Sequence, residues 1–265
     1  MKKAVDMRTE PIKTMIALGE STTWGYSVSD KSKCWVNRLA GMLQEYQGEE
    51  IRFINQGIGS NVLTTLCPAY EASAKPSALE RLESEVLAHN PDLLILSYGL
   101  NDSRGGTSAE VFRVEYQKLI DIVKAGSDAL IVLVNVYYMH ECTYTMYPPW
   151  THSDYNLAEL YNLMIEQLAA DNNLILADIY ASEQGVDWFI DEDHCHPNDL
   201  GHHIIANKTF EAIARKASFV ARTMPQKTLI MDFVDKYGNG PEIPAHAGST
   251  SDIVFDKEKS RSVEG

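Results

Sequence analysis

The chain has 265 residues, 45% of them hydrophobic and 23% charged, the composition of a soluble globular unit rather than of a disordered or membrane-embedded protein. Its 23 basic and 37 acidic residues leave a formal charge of −14, which repels nucleic acid and anionic lipid and sets both aside as partners. The longest apolar run, residues 129–139, falls far short of the roughly 20 residues of a bilayer span, and four scattered cysteines without a CxxC pair fit reduced thiols in a cytoplasmic protein.

At the N-terminus, Asp6, Arg8, Glu10 and Lys13 interrupt the apolar stretch that a secretion signal would need after Met1-Lys2-Lys3. The first apolar β-branched run is "TMIAL" at 14–18, followed by Gly19-Glu20-Ser21 and then a helical pattern over 33–47 that Gly48 ends. A second run, "IRFIN" at 51–55, leads into "NQGIGSN" and a helical stretch over 77–89, whose Ser77 and Glu80 have the spacing of a capping box. "DLLILSY" at 92–98 precedes "GLND" and a helix over 108–125; "ALIVLVNV" at 129–136 precedes an aromatic segment and a helix over 154–171, with Asp154 placed to cap it. "NLILADI" at 173–179 is followed by "DEDHCHPNDLGHH" and a last helical stretch over about 198–220.

Such short apolar runs read as buried parallel strands. Their strict alternation with helices predicts crossover connections and a three-layer α/β/α sandwich. Residues 1–221 form the expected domain, and 222–265, rich in Gly, Pro and small polar residues, an irregular extension, with "TLIMDFV" at 228–234 able to add a strand against the body or a neighbouring subunit.

In an open parallel sheet, ligands bind beyond the carboxyl ends of the strands. The segments that follow the strands bring a hydroxyl, flexible amides, a carboxamide and an Asp-x-x-His pair to that edge. A serine hydroxyl needs a base, the imidazole needs an acceptor that fixes its tautomer, and a tetrahedral oxyanion needs donors; Ser21, His196, Asp193 and Asn101 have the chemistry for those roles. No G-x-S-x-G elbow occurs, which argues against the α/β-hydrolase fold. Residues 191–203 also hold four of the eight histidines, but the spacing of His194, Cys195, His196, His202 and His203 is poor for a metal, and none is expected; His202 and His203 read as surface or packing residues of the helix.

Block by block, the sequence resembles the SGNH or GDSL hydrolases over about residues 14–215: "LGES" resembles the first block, "NQGIGSN" the second, "GLND" the third and "DEDHCHPNDLGH" the last. The resemblance implies a flavodoxin-like sheet of order 2-1-3-4-5 and ester hydrolysis through an acyl-enzyme without a cofactor. Ser21 would be the nucleophile, Asp193 and His196 the rest of the triad, and Asn101 an oxyanion donor beside the Ser21 amide; Asp102 next to it could cap the following segment. Two positions depart from the pattern. Glu20 stands where the family has Asp, and the second-block position of an oxyanion-hole glycine falls on Ser60, with Gly59 one place early. A backbone donor needs accessible φ/ψ rather than glycine itself, so the Ser60 amide is expected to serve, with Gly59 as the alternative.

Residues 137–155 carry five of the thirteen tyrosines and Trp150. They read either as a lid packing its own apolar surface or as a substrate wall. In the second reading Tyr147 and Trp150, with Trp24 and Tyr26 just past the nucleophile, suit stacking against a sugar ring, and the substrate is a small ester such as an acylated sugar. The alternatives are acyl transfer to an acceptor other than water and, from the Ser60 departure, a catalytically silent carbohydrate-binding protein; association into a homo-oligomer stays open.

Overall fold

The structure, a computed structural model, describes residues 5–222. Five strands, β1 (Thr14–Gly19), β2 (Arg52–Gly57), β3 (Leu93–Ser97), β4 (Leu130–Val134) and β5 (Ile175–Ala177), form one sheet of order β2-β1-β3-β4-β5, parallel at every pairing. Among the described residues eight α-helices accompany them: α1 (Ser21–Trp24), α2 (Trp35–Gln47), α3 (Ala78–Glu85), α4 (Leu100–Arg104), α5 (Ala109–Gly126), α6 (Tyr155–Asn172), α7 (Tyr180–Glu183) and α8 (Asp199–Ala214). This is the expected sandwich and strand order. The strand at 228–234 and, apart from Arg222, the extension over 222–265 lie outside the described residues.

The central strands are buried almost throughout, as a sheet covered on both faces requires. β2 differs from the expected buried strand: it lies at the sheet edge, Arg52 is exposed and only Gly57 is buried. The long helices fall where the 3.6-residue period put them, and all but α2 start at side-chain caps. Asp154 Oδ1 accepts from Leu157 N at 2.8 Å, both arms of the Ser77–Glu80 capping box are made, and Asn198 caps α8. α8 is shorter than expected, ending at Ala214 before a separate 3₁₀ turn over Ser218–Ala221, and α3 likewise gives way to a 3₁₀ turn over Leu87–His89.

What positions the site is the common end of β2, β1 and β3. In register, Gly19 of β1 pairs with Gly57 of β2 and with Ser97 of β3, so the chain leaves all three at one level. α1 begins there. A Cβ on Gly57 would lie 2.2 Å from Trp24 N and 2.6 Å from Thr23 C, so only glycine lets β2 end against the backbone of α1.

Candidate active site

Ser21 opens α1 and is buried at the base of a cavity of about 280 Å³. Its Oγ lies 2.7 Å from His196 Nε2, and His196 Nδ1 lies 2.5 Å from Asp193 Oδ2. Asp193 Oδ1 also accepts the backbone N–H groups of Cys195 and His196 at 2.9 Å. Burial works against the Asp193 charge, but the hydrogen bonds from the His196 ring and from the two amides outweigh it and hold its pKa down at about 2. An ionised Asp193 favours the tautomer with the proton on Nδ1, which leaves Nε2 to accept from Ser21.

Asn101 lies on α4 just after Gly99, and its side chain lines the same cavity. Its Nδ2 donates to Asn61 O at 3.0 Å, leaving the second N–H available, and its backbone N–H donates to Glu20 Oε1 at 2.8 Å. Glu20 is buried; desolvation first, then the nearby Asp102, pushes its pKa well above the carboxylate range. The acid at position 20 therefore ties the end of β1 to the start of α4.

Ser60 and Gly59 both line the cavity. They are the centre of a turn closed by Asn61 N–H donating to Ile58 O at 3.3 Å, and Ser60, third in the turn, has φ of 56°. A positive φ there is the mark of a type II turn and is the position where glycine is favoured. Among the described residues neither the Ser60 nor the Gly59 amide donates to a protein acceptor.

The aromatic segment divides between its two readings. Tyr137, Tyr138 and Tyr144 are buried in the body of the protein, whereas Tyr147 and Trp150 line the cavity, Tyr147 being 48% exposed. Tyr26 lines it too, its ring centroid 4.3 Å from that of His196. Trp24 does not reach it: the ring is 46% exposed, and Lys31 Nζ sits over it at 3.4 Å. A second expectation is also corrected. Asp102 caps no following segment; it is fully buried and both its oxygens accept Leu63 N, at 3.0 and 3.1 Å, joining α4 to the loop after β2.

Sequence reasoning missed three supporting residues. His202 takes the packing reading and not the surface one: its Nδ1 accepts Trp35 N at 3.3 Å, so Nε2 holds the proton and donates to Tyr26 O at 3.1 Å, fixing the residue whose ring lies against His196. Burial keeps this ring neutral, with its pKa lowered to about 4. Arg81, on α3, donates to Gln56 O, Gly19 O, Asn61 Oδ1 and Tyr98 Oη, gathering the ends of β1 and β2 beneath the Ser60 turn. Its place beside Ala78 and Leu82 on the buried face of an amphipathic helix was a usable signal. Arg104 lines the cavity itself. Among the described residues no group of three His, Cys, Asp or Glu side chains could hold a metal ion, and no helix is long and apolar enough to cross a membrane.

The sequence model of the GDSL-like lipase/acylhydrolase family matches residues 17–204, a span that contains every residue of this cavity. The chain belongs to that family. A curated relative, an arylesterase of Vibrio mimicus, is 25% identical over 123 residues, 46% of this chain; the match covers 54% of the relative, about half its length. Among solved structures, the lipase/acylhydrolase of Enterococcus faecalis superposes with a TM-score of 0.61 at 20% identity, over 77% of this chain and 96% of its own. The acetylxylan esterase Axe2 of Geobacillus stearothermophilus gives a TM-score of 0.59 at 19% identity, over 78% and 96%. At such identities these two structures show that the GDSL family member shares their fold.

Proposed function

We propose that the chain is a serine carboxylic ester hydrolase acting on small soluble esters, an acetylated carbohydrate being the substrate its cavity suits best. The observation that carries this is the unbroken hydrogen-bonded series Ser21 Oγ, His196 Nε2, His196 Nδ1, Asp193 Oδ2 at the foot of a lined cavity. In this reading Ser21 Oγ attacks the acyl carbonyl as its proton passes to His196 Nε2, and Asp193 stabilises the imidazolium. The amides of Ser21 and Ser60 and the free N–H of Asn101 receive the negative charge on the carbonyl oxygen; losing one such donor costs about 3–4 kcal/mol of barrier. His196 then returns the proton to the leaving alcohol, and water, deprotonated by the same ring, releases the acid and regenerates Ser21.

The volume of about 280 Å³ favours a short acyl group, and the exposed ring of Tyr147 with Trp150 offers faces for a sugar. An acetylxylan esterase among the fold relatives fits the same reading.

Turnover of p-nitrophenyl acetate, butyrate and octanoate by wild type, Ser21→Ala and His196→Ala tests the mechanism. Each variant is expected to lose about 10³-fold or more in kcat with its circular dichroism unchanged, and Asp193→Ala to lose less. Full activity in Ser21→Ala overturns it. Trp150→Ala and Tyr147→Ala should raise KM for acetylated sugars; unchanged kcat/KM on all of them removes the carbohydrate from the reading. Adding alcohol acceptors and analysing the products separates hydrolysis from acyl transfer.

A further inference from the structure

Arg104 ends α4, one helical turn beyond Asn101, and lines the cavity while being only 4% exposed. Its guanidinium is hydrogen-bonded but not neutralised. Nε donates to Trp150 O at 3.2 Å, Nη2 to Thr143 O at 3.1 Å and Nη1 to Cys195 Sγ at 3.5 Å; two of the five N–H groups remain. All three acceptors are uncharged, Cys195 included, because burial pushes its thiol up to about 12.

The other buried guanidinium, Arg81, contrasts with it by pairing with Glu85 at 2.6 Å. Arg104 makes no ion pair with any described carboxylate. The one acid that lines the cavity, Asp193, is taken up by His196 and two amides. Withdrawing an arginine from water without a counter-charge is strongly unfavourable, and a carboxylate is the partner that its planar fork fits in geometry and charge.

We infer that Arg104 forms an anion subsite of this cavity, and that the ester cleaved here carries a carboxylate. The inference rests on the esterase reading and adds the substrate's charge to it. Arg104 also holds the aromatic segment, through Trp150 O, Thr143 O and its own carbonyl, which accepts His152 N at 3.0 Å. A purely structural staple would affect neutral and charged substrates alike; an anion subsite separates them.

Two matched pairs of esters place the carboxylate. p-Nitrophenyl valerate against the p-nitrophenyl half-ester of glutaric acid puts it in the acid portion, and an acetylated methyl glucoside against the corresponding glucuronide puts it in the alcohol portion. Wild type is expected to prefer the charged member of at least one pair by about tenfold or more in kcat/KM, and Arg104→Met to lose that preference, with Arg104→Lys restoring part of it. A wild type indifferent to charge in both pairs overturns the inference, as does an Arg104→Met variant whose preference persists.

Should Arg104→Met not fold, binding decides without turnover. Glutarate or glucuronate should raise the Tm of Ser21→Ala more than valeramide or methyl glucoside does, and equal shifts overturn the subsite. Loss of all ester turnover in wild type strikes the hydrolase reading instead, and leaves this binding comparison intact.

Discussion

Ser60 occupies the third place of its turn with φ of 56°, a conformation that costs a residue with a Cβ roughly 1–2 kcal/mol. Ser60→Gly removes that strain but gives the unfolded chain more freedom, so the net gain is small, about 0.5 kcal/mol, read as a rise in Tm or in denaturant midpoint; a fall would mean that the Ser60 side chain has an unrecognised partner. The two candidate amides can be told apart because proline is favoured at the second position of such a turn, and a Cβ on Gly59 meets nothing within 4 Å. Gly59→Pro deletes the Gly59 N–H alone. If Ser60 is the donor, kcat falls by less than about tenfold; if Gly59 is, by about 10²–10³. Composition and order made Ser21, Asn101, Asp193 and His196 candidates, but not the roles of His202 or Arg104, whose partners lie far away in sequence.

α1 shows how a helix of four residues depends on its neighbours. It carries no hydrophobic period and its N-cap position, Glu20, makes no side-chain cap, so isolated helix formation is not what holds it. It is held from outside: Asn55 Nδ2 donates to Thr23 O at 2.8 Å, and Gly57 lets β2 approach its backbone. Gly57→Ala should push α1 away, because the atoms in the way are backbone, and on the proposed mechanism a displacement of about 1 Å at Ser21 costs on the order of 10²-fold in kcat/KM. The check is p-nitrophenyl acetate turnover beside circular dichroism; a fully active, folded variant would show that α1 can shift without consequence. The long amphipathic helices were legible because period and caps are local. α1, α4 and α7, each four or five residues, were not, for their conformation is set by the sheet edge they sit on.

At the scale of the whole molecule, three carboxyl groups among the described residues are buried with raised pKa values. Burial lifts Asp102 to about 7 and Glu183 to about 8, and Glu20 goes well above its ordinary range. Each binds in the folded state a proton that the unfolded chain releases near pH 4. Their contribution to stability is fully present below that pH and is lost as pH rises through the folded values. Glu183 isolates the effect, since it lies away from the cavity residues, is fully buried and has no hydrogen-bond partner for either oxygen. Glu183→Gln keeps the shape without the titration. Its Tm should gain on wild type steadily between about pH 4.5 and 8, and parallel curves over that window would show that the Glu183 carboxylate is not desolvated.

The sequence by itself determined the alternation of strands and helices, the parallel sheet and the residue types gathered at its carboxyl edge, because periodicity, caps and block spacing are written in neighbouring residues. Only the tertiary structure decided which of those groups meet. It turned Trp24 away beneath Lys31, divided the aromatic segment between core and cavity, sent Asp102 to the Leu63 amide and left Arg104 buried without a counter-charge. Those outcomes depend on where side chains from distant segments come to rest on a shared sheet edge, and no local pattern records that.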